Sequence, residues 1–373
     1  MTNKELSLFI GKCLTIDYNQ ENRLYVAEQI KNEKVDWEKF VVISSNYLIT
    51  PAIYVKFRNS GIDSLLPAEL HDYLQEIYNL SFSRNQMLLE QIREICDLLA
   101  VNDIYPVLLK GAGNLLDDLY QDIGERIMGD IDILVKEDEY HRAAEIALNF
   151  GYQVMESEYF YDDVDILKHY PRLGHPERYA ALEIHRLPVE EKYTRFFNQQ
   201  MIREKIKKPV NLSGSFVLCD EHKVIINFIH SQLANKGHKS AVISMRDAYD
   251  LYLLSRRTNL DEIYRDLIPE KKVVAYFFMV EKLLGTKISN SEKSSLSAKW
   301  LLLKYNLNFD FKYFYRINRI VTEFNDRVIE RYFVVLFKAI YSKETRAFVF
   351  RRMKTVPWYK SQINSWIRTF RSK

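Results

Sequence analysis

The first hundred residues carry apolar side chains at the spacing of amphipathic helices. The segment "KELSLFIGKCL" places its apolar residues on one helical face, at Leu6, Phe9, Ile10 and Leu14. Residues 67–100 keep the same spacing over many turns, which predicts one or two long helices. Residues 1–78 are therefore predicted to form an N-terminal helical region.

The hydrophobic pattern changes after residue 103, where short apolar runs replace the long helical periods. Four of these runs predict strands, at residues 104–109, 131–135, 164–170 and 179–187. Helical spacing returns at residues 114–120 and 138–152, and a glycine-containing turn occupies residues 110–113. Strands and helices that alternate over so short a span are typical of a small mixed sheet packed against helices. The pattern predicts an α+β fold with its core at residues 79–195.

Helical spacing dominates again from about residue 196. The clearest segments are residues 221–235 and 244–257. No internal repeat and no low-complexity linker separates the regions, so their boundaries rest on the change of pattern alone. Residues 196–373 are predicted to form a C-terminal helical region that ends in a basic tail.

The composition supports this organisation and excludes several classes of protein. The 373 residues include only 11 Gly and 9 Pro, which favours much helix and few long loops. Apolar residues make up 47% and charged residues 28%, values typical of a soluble globular protein. No window of ~18 uninterrupted apolar residues is present, which predicts no membrane span, and the N-terminus lacks the apolar segment of a signal peptide. The net charge of +3 is too small to indicate nucleic-acid binding by itself.

The three cysteines predict a reducing environment. Cys13, Cys96 and Cys219 are an odd number, and none belongs to a CxxC motif or a Cys/His spacing. Such a set indicates neither a disulfide framework nor a zinc site. We therefore expect a cytoplasmic protein.

The basic residues concentrate at the C-terminal end of the chain. From Arg346 to Lys373 there are eight Lys or Arg and no Asp or Glu. Aromatic residues interleave with these charges, at Trp358, Tyr359, Trp366 and Phe370. Such a stretch can lie on an anionic membrane surface, contact RNA by charge and stacking, or dock on its own protein through the aromatic side of a helix.

Two aspartates stand one residue apart in the segment "GDIDILV". Residues i and i+2 of a strand point to the same face, so Asp130 and Asp132 would converge on one site, and Gly129 leaves room for a ligand beside them. Carboxylates this close repel each other unless a cation lies between them. Mg²⁺ suits an oxygen-lined site that also takes phosphates. The alternative is a solvated strand end without a ligand.

A two-metal site requires a third carboxylate. Glu183 in "LEIHR" is the first candidate, because strand alternation places it on one face with His185. Asp163, Asp165 and Glu177 are weaker candidates, since they lie in or near predicted loops. Two metals about 3.5–4 Å apart can activate an attacking hydroxyl and stabilise the leaving oxygen. We expect two Mg²⁺ ions, with His185 orienting a carboxylate or contacting substrate. The predicted metal ligands and catalytic residues are Asp130, Asp132 and Glu183.

The segment "LLKGAG" has the features of a phosphate site. A strand that runs into a glycine turn and then a helix presents free backbone N–H groups to an anion. Lys110 adds a positive charge, and Arg126 can bind phosphate through two parallel hydrogen bonds. The predicted nucleotide-binding residues are Lys110, Gly111, Gly113, Arg126 and Gly129. The alternatives are a turn without a ligand and an Arg126 that pairs with Glu125 or Asp130.

The order of these motifs resembles the uncharacterised nucleotidyltransferase family of the DNA-polymerase-beta-like nucleotidyltransferase superfamily. The segments that carry the resemblance are "VLLKGAGNLLDDLY", "ERIMGDIDILV" and "LEIH". The residues that match the family pattern are Leu109, Lys110, Gly111, Arg126, Gly129, Asp130, Asp132, Leu134, Glu183 and His185. One departure is Ala112, which stands where the superfamily usually has Gly or Ser, so a serine hydroxyl contact with the triphosphate is missing.

The resemblance implies a minimal mixed sheet flanked by helices and a Mg²⁺-dependent transfer reaction. The three carboxylates would hold the metal, and the Lys-Gly turn with Arg126 would hold the triphosphate of an NTP, ATP in the first instance. A nucleoside monophosphate would pass to an acceptor that the sequence does not identify, with release of pyrophosphate. The alternatives are a non-catalytic scaffold of the same fold that binds nucleotide or a partner, and a toxin-type nucleotidyltransferase that acts on tRNA.

The segment "RDAYDLYLL", residues 246–254, resembles the helix that follows the catalytic core in nucleotidyltransferase-type toxins. Asp247 and Asp250 lie three residues apart and therefore on one face of a helix. In one interpretation they position the acceptor or a base. In the other they form the charged outer face of a helix that packs through its apolar residues. His230 is interpreted as a partly buried structural residue.

Overall fold

The computed structural model describes residues 1–155, 167–209, 212–267, 272–288, 296–325 and 335–353. The N-terminal hundred residues are helical, as predicted. Their helices are α1 Asn3–Cys13, α2 Gln20–Lys31, α3 Trp37–Asn46, α4 Thr50–Ser60 and α5 Ala68–Ala100. The apolar face predicted for the first helix is fully buried, so the amphipathic pattern directs the packing of this region.

A mixed sheet follows α5. Its strands are β1 Val107–Leu108, β2 Asp130–Leu134, β3 Gln153–Val154, β4 Leu173–Gly174, β5 Ala181–His185, β6 Ile206–Lys207 and β7 Phe216–Leu218. Their order in the sheet is β3-β4-β5-β2-β1-β7-β6. β2 is parallel to β5 and β1 is parallel to β7, and the other neighbours are antiparallel. The intervening helices are α6 Lys110–Leu116, α7 Tyr140–Asn149 and α8 Gln199–Glu204.

Helices dominate again after β7. Helix α9 Asp220–Phe228 continues directly as a π-helix, Ile229–Ala234. The remaining helices of the described ranges are α10 Gly237–Ser240, α11 Met245–Ser255, α12 Leu260–Leu267, α13 Lys272–Leu284, α14 Leu296–Asp310, α15 Lys312–Phe324, α16 Val335–Tyr341 and α17 Lys343–Met353. None of the helices in these ranges has the length and apolar character needed to cross a membrane. The predicted α+β fold, a mixed sheet with helical flanks, is confirmed.

Several details differ from the prediction. Helix α6 begins at Lys110 and not at residue 114, so the glycine segment is its first turn. β4 lies in a predicted loop, and β6 and β7 lie beyond residue 195, where helices were predicted. Strands of two or three residues are too short to give a periodic signal. The predicted strand at 164–170 falls partly outside the described residues, and within them His169 forms a single bridge with His185. The domain boundaries themselves stay predictions.

Helix α5 fixes the entrances to β2 and β5. Before β2, the buried amide of Asn85 donates to the carbonyl oxygens of Ile123 (2.5 Å) and Arg126 (2.8 Å). Before β5, the amide of Gln91 donates to the carbonyl oxygen of Ala180 (2.8 Å) and accepts from its N–H (3.1 Å). Because buried polar groups are stable only when they are hydrogen-bonded, these contacts hold both strands in a defined position.

The N-terminal and C-terminal helical regions contact each other directly. At Gly11, α1 lies so close to α13 that an added Cβ would collide with the carbonyl group of Leu283. The amide of Asn22 on α2 donates to the carbonyl oxygen of Leu284 (2.8 Å). The helical flanks are therefore packed together, although the whole sheet separates them in sequence.

Candidate active site

Strands β2 and β5 bring three acidic side chains together. In this parallel pair, Asp132 lies opposite Glu183, and Asp130 lies opposite Ala181. Because alternate residues of a strand share a face, both aspartates project from the same side of the sheet as Glu183 and His185. The structure therefore brings together the carboxylates that the sequence singled out.

His185 joins two of these carboxylates in a buried cluster. Its Nε2 lies 2.9 Å from Oδ1 of Asp132 and 3.4 Å from Oε2 of Glu183. The imidazole is fully buried, and within the described part of the chain its Nδ1 makes no hydrogen bond. The metal-binding atoms of the three side chains all lie within 4.8 Å of one another. Two carboxylates and an imidazole at this separation can hold a divalent cation.

Lys110 supplies the main counter-charge of Asp132. The Nζ of Lys110 lies 2.5 Å from Oδ1 of Asp132. Burial raises the pKa of Asp132, but Lys110 and the hydrogen bond with His185 outweigh it and hold this pKa well below the usual range. Burial also lowers the pKa of Lys110, and the attraction to Asp132 more than reverses that shift. Both groups are therefore charged at neutral pH.

Asp130 lies at the edge of the cluster and is paired with Arg172. The guanidinium of Arg172 donates to Asp130, and its Nε lies 3.4 Å from Oε1 of Glu183. Burial raises the pKa of Asp130, and the charge of Arg172 opposes that shift. Arg172 lies just before β4 in a predicted loop, and no pattern in the sequence pointed to it.

The weaker candidates for the third carboxylate do not displace Glu183. Glu177 is exposed, and its carboxylate lies 3.9 Å from the guanidinium of Arg178. Asp163 and Asp165 fall outside the described residues. Among the described residues, Glu183 is the carboxylate that lies next to Asp132 on the neighbouring strand.

Asp132 of this cluster and the neighbouring Asp130 line a polar cavity of about 290 Å³. Its walls carry charges of both signs and come from α6, β2, α9, the π-helix and α11. The lining residues are Lys110, Gly111, Asn114, Arg126, Met128, Gly129, Asp130, Asp132, Lys223, Ile226, Asn227, His230, Arg246, Asp247 and Asp250. This volume is close to the lower limit for small-molecule sites, and the charges suit a compact ionic ligand.

The Lys-Gly segment contributes two of its residues to this cavity. Lys110 and Gly111 line it. Lys110 has a φ of +47°, a backbone conformation that residues other than glycine rarely adopt and that is enriched at functional sites. A Cβ on Gly113 would lie 2.5 Å from the carbonyl oxygen of Leu108, so this glycine allows α6 to pack on β1. Ala112 is buried. Gly113 therefore serves the packing of α6 on β1, and it is not among the residues that line the cavity.

Arg126 lines the cavity but is held by partners within the chain. Its Nε lies 3.2 Å from the hydroxyl of Tyr120 and 3.3 Å from Oδ2 of Asp250, and its Nη1 donates to the carbonyl oxygen of Ile127 (2.9 Å). Burial lowers the pKa of Arg126, but Asp250 outweighs burial and raises it. The ion-pair partner is therefore Asp250 and neither of the residues considered from the sequence. A role in binding triphosphate stays a prediction.

Helix α11 combines the two interpretations of its sequence. Its residues Ala248, Leu251 and Leu254 are fully buried in the core, as the packing interpretation requires. Asp247 and Asp250 are also buried, and both line the cavity. Asp250 is bound to Arg126, whereas Asp247 has Arg246 at 4.0 Å. Of the two aspartates, Asp247 is therefore the better placed to meet a ligand.

Lys223 and His230 are among the cavity residues that the sequence did not assign to the site. Lys223 on α9 is buried, forms an ion pair with Asp117, and has its pKa lowered by burial. His230 lies on the π-helix, and burial, followed by the charge of Lys110, lowers its pKa. A π-helix is frequent at functional sites, but nothing in the sequence of α9 distinguishes it from an α-helix. His230, which we interpreted as structural, therefore lines the candidate site.

A protein-family model matches more than half of the chain. The model, described as "Uncharacterised nucleotidyltransferase", covers residues 33–272. The chain belongs to the uncharacterised nucleotidyltransferase family. The match includes every strand of the described sheet and helix α11. Searches of curated proteins and of solved structures found no match. The resemblance seen in the sequence is confirmed.

Membership of this nucleotidyltransferase family indicates a transferase that uses a nucleoside triphosphate. The buried cluster of Asp132, Glu183 and His185 fits a divalent metal, because it combines two carboxylates with an imidazole nitrogen. This set differs from the predicted ligands by one residue, since His185 lies inside the cluster and Asp130 at its edge. The identity and the number of ions stay predictions.

Proposed function

We propose that this protein is a Mg²⁺-dependent nucleotidyltransferase that moves a nucleoside monophosphate from ATP or another NTP to an acceptor and releases pyrophosphate. One observation carries the proposal. Asp132, which belongs to the cluster with Glu183 and His185, lines the same cavity as Lys110 and Gly111. A metal site and a positive charge for phosphate therefore lie side by side, as transfer from a triphosphate requires.

Each residue has a role in this proposal. Asp132 and Glu183 would hold the metal, with Asp130 beside them and His185 fixing the carboxylate of Asp132. Mg²⁺, when bound, would neutralise the triphosphate and favour attack by an acceptor hydroxyl. Lys110 would exchange its ion pair with Asp132 for an ion pair with the phosphates. Because the cluster includes an imidazole nitrogen, which Mn²⁺ accepts more readily than Mg²⁺, both ions should be compared.

A second cavity is the proposed acceptor site. It has a volume of about 440 Å³ and shares Asp247 with the first cavity. Its polar lining includes Ser231, Asn235, Ser240, Ser244, Arg319 and Thr322. An acceptor bound there would reach the triphosphate past Asp247, which would position the attacking hydroxyl. In this arrangement the burial of Asp247 on α11 has a functional reason, which packing alone does not provide.

Calorimetric titration of the four NTPs with Mg²⁺ or Mn²⁺ tests the proposal. We expect metal-dependent binding by the parent and a loss of at least about 100-fold, or ~2.7 kcal/mol, in Asp132→Asn. Asp72→Asn is the matched control, because Asp72 is 80% exposed and lies on α5. Equal binding by the parent and Asp132→Asn would contradict the assigned site.

The two alternative functions give different results. A non-catalytic scaffold would bind NTP without releasing pyrophosphate, whichever acceptor is supplied. A toxin-type enzyme would transfer label from an α-labelled NTP to bulk tRNA and would arrest growth on expression, and Asp132→Asn would relieve that arrest. Harmless expression of the parent would count against this alternative.

A further inference from the structure

Helix α15 exposes an apolar face. The exposed fractions of Tyr313, Ile317, Val321 and Phe324 are 79%, 60%, 57% and 51%. Intervals of four, four and three residues place these side chains on one stripe along the helix. With a rise of 1.5 Å per residue, the stripe is about 16 Å long. We call these four residues the apolar stripe.

The other side of α15 is the one that faces the protein. The amide of Asn318 donates to the carbonyl oxygen of Ser240 (2.6 Å). Tyr315, Arg319 and Thr322 line the proposed acceptor cavity. A surface helix of a globular domain normally turns its apolar side inward. Helix α15 has the opposite orientation, because its apolar stripe faces outward.

The C-terminal helices of the described ranges expose further apolar residues. Thirteen of the 23 large hydrophobic residues that are exposed in the described ranges lie between Leu296 and Phe350. On helix α16, the spacing of the exposed residues Phe337, Ile340 and Tyr341 places them on one face of that helix. Exposed apolar surface on this scale marks a contact with a partner or a membrane.

The charge of the C-terminal part of the chain indicates the kind of partner. Residues 311–373 contain fifteen Lys or Arg and four Asp or Glu, a net charge of +11, so the rest of the chain carries −8. A second copy that docked through the same face would bring the same positive charge and be repelled. RNA would match the charge but not the aliphatic side chains of Ile317 and Val321. An anionic lipid surface matches both the charge and the apolar stripe.

We propose that the apolar stripe of α15, together with the basic residues of the same helix, docks this protein on an anionic membrane surface. The helix α15 lies along the interface with its apolar stripe in the headgroup region. Tyrosine side chains such as Tyr313 favour that depth, and Lys and Arg bind the lipid phosphates. The contact is peripheral and does not depend on the proposed transferase activity.

Co-sedimentation of the full chain with vesicles tests this proposal. Vesicles of phosphatidylcholine alone are compared with vesicles that also contain about 30% phosphatidylglycerol. We expect binding to the anionic vesicles to be at least about tenfold stronger, and to weaken as salt screens the attraction. In the double variant Ile317→Ser with Val321→Ser, binding should fall at least about fivefold, since apolar contact is lost while charge is kept.

The double variant Leu24→Ser with Val101→Ser is the matched control, because both residues are exposed apolar residues elsewhere on the surface. It should bind as the parent does. Circular dichroism confirms that each variant is folded. Equal binding by the parent and the Ile317/Val321 variant would overturn the proposal, and so would failure of the parent to bind anionic vesicles. In the latter case, binding to single-stranded RNA would identify a nucleic-acid surface, and a dimer lost only in that variant would identify self-association.

Discussion

Alanine at two glycines of the site separates a packing role from a binding role. In Gly113→Ala the new Cβ would lie 2.5 Å from the carbonyl oxygen of Leu108 and 3.1 Å from its carbon. The obstacle is the backbone of β1, which is paired with β2 on one side and β7 on the other, so it cannot move away readily. In Gly129→Ala nothing lies within 4 Å of the new Cβ.

We expect Gly113→Ala to lower the free energy of unfolding by about 1–2 kcal/mol. Overpacking costs ~1–3 kcal/mol, and the higher helix propensity of alanine offsets up to ~1 kcal/mol of this. Gly129→Ala should change stability by less than ~0.5 kcal/mol. NTP affinity should show the reverse order, because Gly129 lines the cavity and Gly113 does not. A methyl group at Gly129 should weaken binding about tenfold, or ~1.4 kcal/mol.

Urea unfolding followed by circular dichroism measures the stabilities, and titration of ATP with Mg²⁺ measures the affinities of the same samples. Equal stability of the two variants would contradict the close packing of α6 on β1. Weaker binding by Gly113→Ala, with Gly129→Ala unchanged, would refute the assignment of the cavity and would support the binding role that the sequence predicted for Gly113.

Two further predictions concern ion pairs. Asp250→Ala leaves the buried guanidinium of Arg126 without its carboxylate and should lower the free energy of unfolding, measured in urea, by ~3–5 kcal/mol. Asp247→Ala should lower it by less than ~1 kcal/mol. Similar losses in the two variants would refute the assigned pairing. The hydrogen bond from Arg178 lowers the pKa of Glu94. Ionised Glu94 therefore stabilises the fold at pH values above its unfolded pKa of about 4.3. This contribution is lost as the pH falls through the lower pKa of the folded state. The difference in Tm between the parent and Glu94→Gln should therefore be measurable near pH ~6 and shrink as the pH falls below ~4. The difference should be small, because both side chains are partly exposed and solvent screens their attraction.

Features of the site that depend on one strand were predictable from the sequence. Asp130 and Asp132 share a face because strand alternation is a local property, and the same alternation places Glu183 with His185. The helices of the flanks were equally clear, since amphipathic spacing over several turns is a strong signal.

Features that depend on distant or irregular contacts were not predictable. Arg126 and Asp250 are 124 residues apart in sequence, so no local pattern pairs them. Arg172 reaches the carboxylates from a loop that has no periodicity. The π-helix that carries His230 differs from an α-helix only in its hydrogen bonding, which the side-chain pattern does not encode.

The carboxylates of the site already hold cations that belong to the chain. Lys110 is bound to Asp132, and Arg172 is bound to Asp130 and lies beside Glu183. A divalent ion that arrives alone must compete with these two side chains. An ion that arrives bound to a triphosphate brings phosphate oxygens, with which Lys110 and Arg172 can form new ion pairs. The affinities for ion and nucleotide would therefore be linked, each raising the other by the same factor. Without ligand, the protein would discriminate against free metal in favour of the metal–nucleotide complex.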